Sequence, residues 1–159
     1  MAKLIENEVK GIQLKEGQTV LDVDDNEYLI EKGDVLQERT GDWRLPRKQE
    51  LELMYENLHR HPPRVGGFAN KFYWSSSEYL SSYAWYHSFS SGRQGSNGKD
   101  YDKRVRVVRS FKSNEDFEIG QETETGYVFD IQRDIIFECK KEDEPKEMSW
   151  YEAMKQFGA

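Results

Sequence analysis

Apolar and polar positions along this chain change period several times, and each change marks an element. Leu51, Met54, Tyr55 and Leu58 fall at i, i+3, i+4 and i+7, which predicts an amphipathic helix from about Pro46 or Arg47 to Leu58. Pro46 suits a first helical turn, where a missing N–H costs nothing. Pro62-Pro63 and then Gly66-Gly67 stop the helix, and His59 and His61 are read as its solvated exit. Upstream, Val20-Leu21-Asp22-Val23 and Tyr28-Leu29-Ile30 read as two short strands around a turn at Asp24-Asp25-Asn26. Arg104-Val105-Arg106-Val107-Val108 alternates, which predicts a strand with one buried face and its arginines on the other. Residues 127–131 and 135–139 flank Gln132-Arg133-Asp134 as a hairpin. Ser149 stands three before Glu152 as a capping box, Trp150, Ala153, Met154 and Phe157 keep helical spacing, and Gly158 ends the run. The chain therefore finishes in a ββα appendage.

Residues 72–111 have another character. They hold five of the nine Tyr and two of the four Trp, interleaved with Ser, Gly and Asn. Tyr and Trp give wide amphipathic contact at low rotamer entropy, while small polar residues give adaptable hydrogen bonding, the mixture of a binding surface. The aromatic content of the chain, 13%, argues for a folded protein despite the polar average.

Charge is uneven. Residues 1–111 carry 17 acidic and 17 basic side chains, and residues 112–159 carry 13 acidic and 6 basic ones, so the net charge of -7 lies entirely in the tail. The aromatic segment is not charge-biased, and a nucleic-acid partner, which needs a basic patch, is not expected. The one cysteine, Cys139, forms no intrachain disulfide and reads as a buried strand thiol. Neither a signal peptide nor a membrane span is recognisable in the sequence, so no membrane insertion is expected, and a virion component and a cytoplasmic protein are both compatible with it.

Metal and catalytic readings are weak on chemistry. The acidic run at residues 22–27 lacks the loop glycine and the twelfth-position Glu of an EF-hand. Three histidines and one distant cysteine supply a zinc site poorly. Ser75-Ser76-Ser77 has no G-x-S-x-G elbow around it, so hydrogen bonding of a tight turn is the expected role. No cofactor, metal site or catalytic residue is predicted.

Gly41-Asp42-Trp43-Arg44-Leu45-Pro46 before a helix, Tyr73-Trp74-Ser75-Ser76-Ser77-Glu78, the Ala84-Trp85-Tyr86 region and Arg104-Val105-Arg106-Val107-Val108-Arg109 before Phe111 follow one another in order. In this combination, over residues 41–111, the chain resembles the Lcl C-terminal domain family, a branch of the C-type lectin-like fold. Residues 84–111 are also similar to variable proteins of bacteria and phages that are diversified by retroelements, in which adenine-directed copying scatters Asn-type codons within a constant frame. The resemblance implies an α+β C-type lectin-like domain with short antiparallel strands and at least one amphipathic helix over residues 1–111, followed by the acidic ββα appendage over 112–159. It implies a frame of Trp74, Trp85, Phe89, Val105, Val107 and Phe111. It also implies candidate variable or ligand-binding positions at Tyr79, Leu80, Ser82, Tyr83, Tyr86, His87, Ser88, Ser90, Ser91, Arg93, Ser96, Asn97, Asp100, Tyr101 and Asp102.

Arg104 and Arg106 are read as structural, pairing with Glu78, rather than lining the ligand site. The calcium-binding triplets of many lectins are absent, which leaves aromatic stacking on a sugar or docking on a protein. Here the family's helix-opening Thr is replaced by Arg47, and 48 residues follow Phe111, where variable segments of this kind commonly end the protein. The function expected is non-enzymatic recognition of a protein or glycan on a cell or particle surface. The alternative is a structural or assembly subunit of a phage or surface fibre with a fixed lectin-like domain.

Overall fold

The computed structural model describes residues 42–158, so the strands expected at residues 20–23 and 28–30 lie outside the described residues. Helix α1 (Lys48–Met54) runs on as a wide π-helical turn (Tyr55–His59). Strands β1 (Phe72–Leu80), β2 (Tyr83–Ser88), β3 (Gln94–Gly98), β4 (Val108–Lys112), β5 (Gly126–Gln132) and β6 (Ile135–Lys140) follow, and α2 (Trp150–Phe157) comes last. One sheet has the order β1-β2-β3 and the other β4-β6-β5. This is the α+β architecture expected from the sequence, with short antiparallel strands and a closing ββα. The unit described below is formed by Trp43–Arg109 and Ser113–Ala159; Asp42 and Ser110–Lys112 belong to a second.

Leu51, Met54 and Leu58 bury the stripe of α1 that their spacing predicts. Its first turn lacks a Ser or Thr cap, and two other groups supply the missing acceptors. The Glu50 carboxylate accepts the Arg47 amide at 2.8 Å, and the Ser77 hydroxyl, on β1, accepts the Lys48 amide at 3.1 Å. Glu50 is itself buried and takes both forks of Arg44, each at 2.7 Å. The arginine of the Trp43-Arg44-Leu45-Pro46 motif is thus the counter-ion of the helix start. Backbone bonds stitch the same motif on either side, with Arg44 exchanging both of its with Val108 at 2.8 Å and the Leu45 amide donating to the Phe157 carbonyl at 3.0 Å.

One core brings Leu45, Trp74, Ala84, Val105 and Val107 together with Trp150 and Ala153 of α2. The Trp150 indole donates to the Ser75 carbonyl at 2.8 Å, and the Trp74 indole donates to the Met148 carbonyl at 3.0 Å. The apolar stripe of the terminal helix is therefore consumed inside its own chain.

The Arg-Val segment departs from the expected half-buried strand. Val105, Arg106, Val107 and Val108 are all buried, and only the residues from Val108 onward enter a strand. Arg106 does not face solvent. It donates to Asp143 at 2.8 Å and to the carbonyls of Gly66 and Lys140 at 2.7 and 3.0 Å. Arg104 donates to Asp143 at 3.0 Å, and both arginines are structural. Their partner is Asp143 rather than Glu78, because the acidic turn after β6 returns to this segment, with the Glu144 amide on the Val105 carbonyl at 2.8 Å.

On the far side of β1 and β2, Phe89 gathers rings. Phe68, Tyr73, Tyr55, His59 and His87 all pack on it, with centroids 4.7–5.5 Å away. His59 is buried, with Nε2 2.9 Å from the Asn70 Oδ1, so the helix exit is solvated at His61 but not at His59. Neither ring nitrogen of His87 reaches a hydrogen-bond partner. Burial pushes its pKa down to about 4, against weaker support from the Glu56 charge.

Buried His87 and Glu50 predict acid sensitivity in two steps. A histidine whose folded pKa is depressed contributes stability that is fully present above its ordinary value of 6.5 and is lost as the pH falls toward about 4, a loss of up to about 3 kcal/mol. Chemical denaturation of His87→Phe at pH 7 and pH 5 should show this slope flattened; an unchanged slope would place it elsewhere. Burial alone would raise the Glu50 pKa, but Arg44 and Arg47 outweigh it and hold the carboxyl well below its ordinary 4.5. Its contribution is present above that value and is lost at lower pH. Glu50→Gln should cost about 3–5 kcal/mol at pH 7, by stranding a buried guanidinium.

Candidate functional site

The β1–β2 hairpin turns through Ser81 and Ser82, so that Leu80 faces Tyr83, and Tyr83 in turn pairs with Gly98 of β3. At this end of the sheet Tyr79, Leu80, Tyr83 and Tyr101 are 53, 58, 43 and 60% exposed, and Ser82, Asp100 and Asp102 are exposed beside them in sequence. A side chain at Gly98 would meet the Tyr101 ring at 3.2 Å, so glycine leaves room for that ring.

Lys99 holds the end in place. Its ammonium is buried, donating to the Ser81 carbonyl at 2.7 Å and to the Glu78 carboxylate. Its amide donates to the Ser82 carbonyl at 3.0 Å, and its carbonyl accepts the Trp150 amide at 2.9 Å. The ammonium also lies 4.4 Å from the Trp150 ring centroid. The exposed tyrosines thus stand on a turn fastened to the core through one lysine.

Trp85, expected as frame, is only half-buried. Tyr79 meets it edge-on at 5.3 Å, and the Lys48 ammonium sits 3.7 Å from its centroid. The serine run builds this platform. The Ser75 hydroxyl donates to the Trp85 carbonyl at 2.8 Å and accepts the Ser77 amide at 3.0 Å, while the Ser77 hydroxyl accepts from the start of α1.

The remaining candidate residues lie elsewhere. Ser90, Ser91 and Arg93 are exposed in the β2–β3 turn, at the opposite end of β2, about 17 Å from Tyr83 at the rise of an extended strand. Ser96 and Asn97 are half-buried on β3. Tyr86 is half-buried, stacked on Phe72 at 4.6 Å, and its hydroxyl would lie 2.7 Å from a side chain at Gly95. His87 and Ser88 are buried. The Ser88 hydroxyl accepts the Ser90 and Ser91 amides at 3.3 and 3.1 Å, a turn-forming role, and His87 belongs to the Phe89 cluster. The structure brings Tyr79, Leu80, Ser82, Tyr83, Asp100, Tyr101 and Asp102 to one end of the sheet, with half-buried Asn97 next in register opposite Ala84, and places Tyr86, His87, Ser88, Ser90, Ser91 and Arg93 away from it.

Three residues with exposed or supporting roles were not singled out in the sequence: Lys48 and Lys99 near this surface, and Phe72 at the opposite end of the sheet. A lysine at a helix start and one beside a turn both look solvated in a sequence, and only the packing of Trp85 and Trp150 gives them roles. Phe72 stands in an apolar run, but it is 44% exposed because it opens an edge strand. No helix among the described residues is long and apolar enough to cross a membrane.

Comparison with known proteins adds the family. No curated protein and no solved structure matches the chain. The sequence model of the Lcl C-terminal domain family matches residues 22–109, a span that takes in the motif at Trp43, α1, the whole β1-β2-β3 sheet and the arginine-valine segment. The chain belongs to the Lcl C-terminal domain family.

Proposed function

We propose that this protein is a non-enzymatic recognition module, and that the end of the β1-β2-β3 sheet carrying Tyr79, Leu80, Tyr83 and Tyr101 docks on a protein or glycan of a cell or particle surface. One observation carries the reading: four large side chains, each more than two-fifths exposed, stand at one end of the sheet around a turn that Lys99 fastens to the core. Exposed apolar residues scattered singly need no explanation, but a cluster of aromatics on a rigid support is what binding hot spots are made of. Pre-ordering by Lys99 lowers the entropy lost on docking. Ser82, Asp100 and Asp102 around the tyrosines supply polar tuning.

The variable-protein reading belongs to the same proposal. The exposed positions at the hairpin end tolerate exchange without disturbing Trp74, Ala84 or Lys99 beneath them, which is what a surface diversified by a retroelement in a bacterium or phage requires. A near-copy of this coding segment, differing at adenines and lying beside a reverse transcriptase gene, is the expected genomic signature. A gene without such a copy would leave a fixed binder.

Tyr79→Ala, Tyr83→Ala and Tyr101→Ala combined should preserve the circular dichroism spectrum and thermal midpoint within a few degrees. On a glycan and cell-surface protein array, the same triple variant should lose the strongest signal of the parent protein by at least about a hundredfold, since hot-spot aromatics contribute on the order of 2 kcal/mol each. An unchanged array profile from the folded variant would contradict the reading.

A further inference from the structure

Buried cations in this fold have anions, with one exception. Arg44 pairs with Glu50, Arg106 with Asp143 and Lys99 with Glu78. Lys103 is 6% exposed and, among the described residues, its ammonium has neither an ion pair nor a hydrogen bond. It is surrounded by rings instead, 4.6 Å from the Tyr86 centroid, 4.8 Å from Phe72 and 5.1 Å from Trp74. The carboxylate whose charge acts on it, Glu147, is engaged by Arg104 at 3.4 Å.

Aromatic faces offset only part of what a cation loses when it is drawn from water without a paired anion. Burial accordingly lowers the Lys103 pKa, with Glu147 opposing. The rings are not sealed. Phe72, the outer one, is 44% exposed and stacks on half-buried Tyr86 at 4.6 Å. An apolar platform and a recessed, unneutralised positive charge therefore share one edge of the sheet. This edge is the Phe72–Ser88 end, away from the hairpin that carries Tyr83, so it is separate from the tyrosine surface and does not rest on that surface's function.

We propose that Lys103, framed by Phe72, Tyr86 and Trp74, anchors the carboxylate of a small organic monoanion whose flat apolar body lies against Phe72. A carboxylate fits because an ammonium-carboxylate hydrogen bond is charge-assisted and gains strength where water is partly excluded. A single negative charge fits because one positive charge is uncompensated, and the nearby Glu147 and Asp143 are already matched to Arg104 and Arg106. The flat body fits because offset stacking on an exposed ring is favourable. Aromatic acids carry both features in full, and acidic sugars carry the carboxylate on a ring whose C–H face is its apolar side.

Titration of the intact protein with benzoate and with glucuronate, followed by amide NMR and calorimetry, tests the site and separates its two sources. Saturable binding of at least one of them is expected, with the largest shifts at residues 72, 86 and 103, and with methyl benzoate binding at least tenfold more weakly than benzoate. Lys103→Met should weaken the carboxylate at least tenfold. Phe72→Ala, at an exposed ring whose loss leaves the core intact, should weaken it severalfold, and this arm stands even if the lysine variant fails to fold. No saturable binding of either acid, equal binding of the ester, or undiminished affinity in folded Lys103→Met or in Phe72→Ala would each overturn the proposal.

Discussion

Two buried indoles exchange hydrogen bonds between the first strand and the chain's last segment. Trp150 donates to the Ser75 carbonyl and Trp74 donates to the Met148 carbonyl, so each tryptophan meets its obligation to a buried N–H in the other's neighbourhood. Around this exchange the rest follows. Ser75 sits between Trp150 and Trp85, whose carbonyl takes its hydroxyl proton. Trp150 also takes the Lys99 carbonyl and underlies its ammonium. Lys99 in turn fixes the Ser81-Ser82 turn and hence Tyr79, Leu80 and Tyr83. The terminal helix α2 is part of the support on which the exposed tyrosines stand.

Electrostatics divides the same unit into satisfied and unsatisfied charge. Asp143 joins Arg104, Arg106 and the Tyr73 hydroxyl, which ties the acidic turn after β6 to the arginine-valine segment. The tail's excess of acid is therefore not all solvent-facing, since part of it neutralises the arginines ahead of it. Lys103 and His87 depart from this balance. One is a cation set among rings without an ion pair, the other an imidazole kept neutral by burial. Groups left unmatched in an otherwise matched interior are where environment-dependent behaviour concentrates.

Elements that depend on local periodicity were legible in the sequence. The stripe of Leu51, Met54 and Leu58, the β5–β6 hairpin across Arg133-Asp134 and the Ser149 cap of α2 need only near neighbours to form. The arginine-valine segment departs from its pattern because alternation signals one buried face only when the other meets water. Here Asp143 and the Gly66 carbonyl cover the arginine face too. Among the candidate site residues, the tyrosines at the hairpin end were legible as large amphipathic side chains beside turn residues. The burial of His87 and Ser88 was not, because it is set by Tyr55 and Phe89 and by the turn amides of Ser90 and Ser91. The resemblance puts Trp85 with the frame, whereas Lys48 and Tyr79 finish it as a surface platform.

The central physical claim is that the exposed tyrosines are rigid because Trp150 couples α2 to the hairpin through Ser75 and Lys99. Amide hydrogen exchange on Trp150→Phe, which keeps an apolar ring but loses the indole donor, tests this directly. Faster exchange is expected in β1 around residues 75–77 and at residues 82 and 99, as well as in α2. Faster exchange confined to α2, with the hairpin as protected as in the parent protein, would contradict it.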